Sequence, residues 1–233
     1  QMIGIICATD SEFEIIQQHV DNFQKQEILA RVFYTGTLHG KRVVINKSGI
    51  GKVASTLTVA AMAMAYGITS LIFVGTAGAT GEQVKIGDIV VSSACVQHDF
   101  DGRPFVEKCT VFSVGQKLIQ ADSQLVAKAE KAVDRYLEKN DIPKNVFEKL
   151  HIGQQSKFVG VIVSGDQFIS QPSQKRQILA DVPEALCCEM EGAAVAQVCF
   201  ELKIPYVVVR VVSDMGDGSA HVDYEKFCNN LAG

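Results

Sequence analysis

The chain has 233 residues, 47% hydrophobic and 21% charged, enough to bury one full core within a single α/β domain. Its net charge is −4 and its 22 Lys and Arg form no run, so a nucleic-acid or anionic-membrane surface lacks its electrostatic footprint. No apolar run approaches the roughly 20 residues of a membrane span.

In chain order, MIGIICA (2–8) reads as a short apolar strand rather than the core of a signal peptide. Gln1 stands before Met2, which leaves a removed leader as an alternative. Thr9, Asp10 and Ser11 offer helix N-caps ahead of Phe13, Ile15, Ile16 and Val20. Glu12 then falls in the first turn of that helix, at the C-terminal edge of strand one, where the helix dipole alone already favours an acidic residue. RVFYTGTLHGKRVVINKSG predicts two strands joined at LHGK, a hairpin. SGIGKVASTLTVAAMAMAYG follows as a Gly-led helix of small and apolar residues, expected to be largely buried. Its GIGK (49–52) suggests a phosphate loop but fails the pattern, because Asn46 stands where the first Gly belongs and Val53 replaces Ser or Thr.

ITSLIFVG (68–75) is another fully apolar strand. It runs into Thr76, Ala77 and Gly78, small residues that either admit a ligand to the backbone or make an ordinary tight turn. IGDIVVSSACVQHD (86–99) is extended, and VFSVGQK beyond it reads as loop. DSQLVAKAEKAVDRYLEKN (122–140) has the spacing of a surface helix, and KNVFEKLHIGQQSK reads as irregular. KFVGVIVSGD (157–166) is a strand with Gln167, Phe168 and Ile169 after its Gly-Asp break, followed by the helix SQKRQILADV. ALCCEM (185–190) is a short strand and EGAAVAQVCFELK (191–203) an apolar helix. In PYVVVRVVSDMGDG (205–218), five Val flank Arg210 without polar alternation, the pattern of a strand covered on both faces in mid-sheet. Ser213 and Asp214 fall at its C-terminal edge, where ligands sit in open α/β sheets. Burial there raises a carboxyl pKa and suits a proton donor; capping the following turn is the competing reading.

Strands alternating with helices predict a single-domain three-layer α/β/α sandwich over residues 1–233, with a mixed, largely parallel central sheet. No G-x-G-x-x-G follows the first strand, which argues against a dinucleotide fold. Seven cysteines, odd in number and without C-x-x-C, read as buried free thiols of a reducing, cytoplasmic compartment. The five His show no metal-ligand spacing, so neither a metal nor a cofactor is expected.

The presumed strand ends collect Glu12, Thr76, Phe168, Ile169, Met190, Glu191, Ser213 and Asp214. Two carboxylates flanking a sugar C1′ are what cleavage of a glycosidic bond needs, one protonating the leaving group and one activating water. The sequence resembles the 5′-methylthioadenosine/S-adenosylhomocysteine nucleosidases of the nucleoside-phosphorylase-like superfamily. MIGIICATDSE, SGIGKV, GTAGA, IGDIVVS, HD, VSGDQFI, EMEGAAVAQVC, PYVVVRVVSD and YEKF carry the resemblance over nearly the whole chain.

The resemblance implies hydrolysis of 5′-substituted adenosines to adenine. Asp214 would be the acid at purine N7, with Ser213 beside it, and Glu12 the base for the attacking water. Glu191 would grip the ribose hydroxyls and Met190 pack on the sugar. Phe168 would stack on the purine while the Ile169 backbone reads its edge. Arg210 and Thr76 would hold the water, Thr76 standing where the family usually has Ser. It further implies a homodimer whose partner lends apolar residues to the 5′ pocket, with Phe105 from VQHDFDGRPF as a candidate, while Tyr224, standing where the family commonly has Phe, is a candidate from the late loop of the same chain. The chain also ends at CNNLAG, short of the long final helix typical of the family. The alternatives are a phosphate-dependent nucleoside phosphorylase and a non-catalytic nucleoside-binding or adhesion protein. The acidic ATDSE speaks against the first, and Glu12 with Asp214 against the second.

Overall fold

The computed structural model describes residues 1–139, 144–150 and 152–231. Its elements in order are β1 (Met2–Cys7), α1 (Asp10–Gln17), β2 (Asp21–Ile28), β3 (Arg31–Leu38), β4 (Lys41–Lys47), α2 (Lys52–Tyr66), β5 (Ser70–Ala79), β6 (Ile89–Gln97), β7 (Ile119–Gln120), α3 (Ser123–Lys139), α4 (Lys144–Lys149), β8 (Lys157–Ser164), α5 (Pro172–Asp181), β9 (Ala185–Glu189), α6 (Gly192–Leu202), β10 (Tyr206–Asp214) and α7 (Ala220–Leu231). The strands form one mixed 10-stranded sheet with helices on both sides.

The apolar strands β1, β5 and β10 run parallel beside β4, as expected of strands without polar alternation. The expected hairpin is β3–β4. Beyond it β2 adds a third antiparallel strand, which the sequence reading missed. Its side chains are mostly exposed, so it carries no apolar face to announce it. A second unexpected feature is closure. β6 and β8 run parallel, as do β8 and β9, and β10 pairs with β6. β9 then meets β5 tail to tail through Gly78–Cys188 and Ala79–Cys187, so β5, β10, β6, β8 and β9 form a ring.

The main core fills one side of this sheet, with Phe33, Met62, Leu71, Phe73, Ile162 and Val208 among its buried members. Each such side chain contributes about 1.5–3 kcal/mol of burial. In β10, Val208 and Val212 are buried, whereas Val209 and Val211 are half-buried beneath α3, whose Leu125, Val126 and Ala129 cover them only in part. α2 also differs from expectation. Val59, Ala61 and Met62 are buried, but Val53 is 80% and Met64 89% exposed, so the helix has an open apolar face. KNVFEKL is not irregular: it contains the short helix α4. Asn140 and His151 lie outside the described residues. No helix among the described residues is long and apolar enough to cross a membrane. All seven cysteines are free, six of them buried.

Candidate active site

A cavity of about 730 Å³, counting its open mouth, lies where the C-terminal ends of β1, β5, β9 and β10 converge. Glu12, Thr76, Phe168, Ile169, Met190, Glu191, Arg210, Ser213, Asp214 and Tyr224 all line it. Phe105 does not; it is 83% exposed on the loop after β6. Ile50 and Glu189 line the cavity as well, and the sequence reading named neither.

Thr9 caps α1 with an extended backbone, which sets Glu12 at the third helical position, facing back over the strand end. Glu12 Oε2 accepts the Ala8 and Thr9 amides at 2.9 and 3.1 Å, and Oε1 accepts the Thr76 amide at 3.1 Å. The Thr76 hydroxyl is 3.5 Å from the same oxygen. Gly75 is required here: a Cβ would come within 2.9 Å of Glu12 Oε1 and 3.1 Å of Arg210 Nη1.

Asp214 closes β10 and is 2% exposed. Ser213 Oγ donates to Asp214 Oδ2 at 2.8 Å and the Gly216 amide donates to Oδ1 at 2.9 Å. Burial raises its carboxyl above the ordinary aspartate value, and those two donors only partly offset this. Gly78 on β5 lets the acid sit against the strand, since a Cβ would fall 2.7 Å from Oδ1.

At the head of α6 the two glutamates of EMEG divide the work. Glu191 is the N-cap by backbone position, yet its side chain makes no cap bond. Glu189 Oε1 takes the Gly192 amide at 2.9 Å instead. The Glu191 carboxyl is thereby free for the cavity, where its Oε1 accepts the Gly51 amide at 2.8 Å. It is 5% exposed, and burial, then the neighbouring Glu189 charge, pushes it up to about 8.

Arg210 is 1% exposed, and its Nη2 donates to Glu189 Oε2 at 2.5 Å. Its guanidinium carbon lies 3.9 Å from the centroid of the Phe73 ring. A buried guanidinium must be paired, and Glu189, itself bonded by Ser164 Oγ, is the partner. Glu189 could have been found in the sequence as the carboxylate of an otherwise apolar strand. The aromatic wall is Phe168 edge-on to Tyr224, with centroids 6.0 Å apart. Cys188 also borders the cavity, but burial raises its thiol far above the reactive range.

The model of the phosphorylase superfamily matches residues 2–233. A 5′-methylthioadenosine/S-adenosylhomocysteine nucleosidase of Shewanella denitrificans is 34% identical, over 97% of this chain and 91% of that relative. The chain belongs to this nucleosidase family. Among solved structures, the family's Neisseria meningitidis enzyme in complex with methylthio-immucillin-A superposes with a TM-score of 0.88 at 29% identity, over 99% of this chain and 93% of that one. A futalosine hydrolase of Helicobacter pylori superposes with a TM-score of 0.82 at 33% identity, over 100% and 92%. In this chain one cavity gathers four carboxyl groups, those of Glu12, Glu189, Glu191 and Asp214, around the buried Arg210.

Proposed function

We propose that the chain hydrolyses the N-glycosidic bond of 5′-methylthioadenosine, S-adenosylhomocysteine and related 5′-substituted adenosines, releasing adenine. The observation that carries this reading is a buried, raised aspartic acid sharing one cavity with a glutamate held by backbone amides. Adenine leaves poorly as an anion, so a proton delivered by Asp214 to N7 as the bond breaks lowers the barrier more than any ground-state contact. Ser213 orients that acid. Glu12, aimed at the same cavity, takes the proton of the water that attacks C1′, and Thr76 and Arg210 hold that water. Glu191 grips the ribose hydroxyls over Met190. The Glu12 carboxylate stabilises positive charge growing on the sugar. Phe168 and the Ile169 backbone take the purine, and Tyr224 lies toward the 5′ substituent.

Hydrolysis is favoured over phosphorolysis by charge. Among the described residues lining the cavity Arg210 is the one basic side chain, and Glu189 already neutralises it. An incoming phosphate would face the Glu12 carboxylate with no free cation among the described lining residues. Adenine release from methylthioadenosine, measured with and without phosphate, tests this: equal rates are expected, and strict phosphate dependence would overturn it.

The open face of α2, with Val53 and Met64, and the exposed Phe105 support a homodimer in which a second copy covers that face and lends Phe105 to the 5′ pocket. Sedimentation of the protein should give twice the chain mass. The seven free thiols suit the reducing cytoplasm.

A further inference from the structure

The SGIGK turn fails as a phosphate loop, yet its amides are in use. The Gly51 N–H donates to Glu191 Oε1 at 2.8 Å, and the Lys52 N–H donates to Asp166 Oδ1 at 2.9 Å. The head of α2 is thus an anion cradle filled by two of the protein's own carboxylates. Gly51 has φ +99, and a Cβ there would lie 3.1 Å from Asp166 Oδ1, so the turn closes tightly on that carboxylate.

The Lys52 side chain extends this contact. Its Nζ lies 2.7 Å from Asp99 Oδ1, with the two side chains only 19% and 22% exposed. Asp99 Oδ2 accepts the Asp166 N–H at 3.0 Å. Lys52, Asp99 and Asp166 therefore form a closed ring of polar contacts. Burial alone would raise the Asp99 carboxyl, but the Lys52 ammonium and the Asp166 amide outweigh it and hold it below the ordinary value.

Two corners of the ring lead into walls of the cavity, and Asp99 joins them from outside it. The 48–52 turn carries Ile50 and holds Glu191. Asp166 leads directly into Phe168 and Ile169. Asp99 ends the β6 side and opens the loop that carries Phe105. The packing leaves little slack, since a Cβ at Gly165 would collide with His98 Nε2 and lie 3.1 Å from Asp99 Cγ.

We propose that Asp99 is a positioning residue for nucleoside binding: through Lys52 and the Asp166 amide it keeps the ribose-gripping turn and the purine loop at one spacing. This rests on the nucleosidase reading above. Both walls contact the substrate before and during the reaction, so their misplacement weakens ground-state and transition-state binding alike and appears mainly in KM.

The test compares wild type with Asp99→Ala, Asp99→Asn and Lys52→Met. It uses steady-state kinetics on methylthioadenosine, with the Kd for adenine alone measured by calorimetry. Asp99→Ala should raise KM about tenfold, or about 1.4 kcal/mol, weaken adenine binding similarly and change kcat less than about threefold. Asp99→Asn, which keeps an oxygen for the Asp166 amide, should recover part of the adenine affinity. Lys52→Met combined with Asp99→Ala should be little worse than Asp99→Ala alone, because both cut one ring. Unchanged KM and adenine Kd in Asp99→Ala, or a loss confined to kcat or to melting temperature, overturns the proposal. If Asp99→Ala does not fold, Asp99→Asn and Lys52→Met decide by the same criteria. A wild-type protein that binds adenine but releases none from methylthioadenosine would refute the function instead, and the adenine Kd of the variants would still judge Asp99.

Discussion

Glu191→Gln isolates the most strongly perturbed carboxyl of the cavity. Glutamine keeps the shape and an oxygen for the Gly51 amide but has no proton to exchange. Burial and Glu189 move the Glu191 carboxyl from 4.5 to about 8. Between those values the folded chain holds a proton that the unfolded chain has released. Stability is therefore full below the lower value, falls as pH rises across the window, and levels off above the upper one. Each tenfold change in proton affinity is worth about 1.36 kcal/mol, so the whole displacement corresponds to about 5 kcal/mol. Urea unfolding of both proteins at pH 4.5, 6, 7.5 and 9 measures it. Groups that do not feel the Glu191 charge, Asp214 among them, cancel in the difference. The variant should be close to wild type at pH 4.5 and should gain on it steadily, by several kcal/mol at pH 9. A difference that stays constant with pH would refute the reasoning.

Asp214→Asn and Glu12→Gln should each lower kcat on the order of a thousandfold, read as adenine release under saturating methylthioadenosine; near-normal kcat in Asp214→Asn would remove it as the acid. Gly78→Ala places a methyl against Asp214 Oδ1 and displaces the acid without altering its chemistry. It should cost about a hundredfold in kcat, and a loss under threefold would show that the acid's seat does not matter. Glu189→Gln strips the buried Arg210 of its counter-charge and should destabilise the fold by about 3–5 kcal/mol in denaturant unfolding. A cost under about 1 kcal/mol would show that Arg210 finds another partner.

Much of the site was legible because its residues stand at strand ends, and strand ends can be read. The valine run around Arg210 marks a central strand, so Asp214 is located by the place where that run stops. Thr9 marks a helix start, which sets Glu12 three residues on. Glu189 was missed although it too closes a strand, because its necessity comes from a buried partner, Arg210, 21 residues away. β2 escaped because its exposed polar side chains leave only backbone pairing to define it. The closure of β9 onto β5 escaped because a two-residue antiparallel contact between distant segments leaves no periodic trace. The open face of α2 was misread because apolar composition alone does not distinguish a buried helix from one awaiting cover.

That closure has a consequence for how such a protein changes over time. β5 contributes Gly75 beside Glu12, Gly78 beside Asp214 and the seam to the strand bearing Glu189. A single deletion within it would turn every following side chain to the opposite face and break all three relations together. The loop around Phe105 carries no such shared register and can lengthen or swap residues one at a time. Diversification is thereby channelled toward the segment that carries Phe105, while the surroundings of Glu12 and Asp214 stay fixed to one strand.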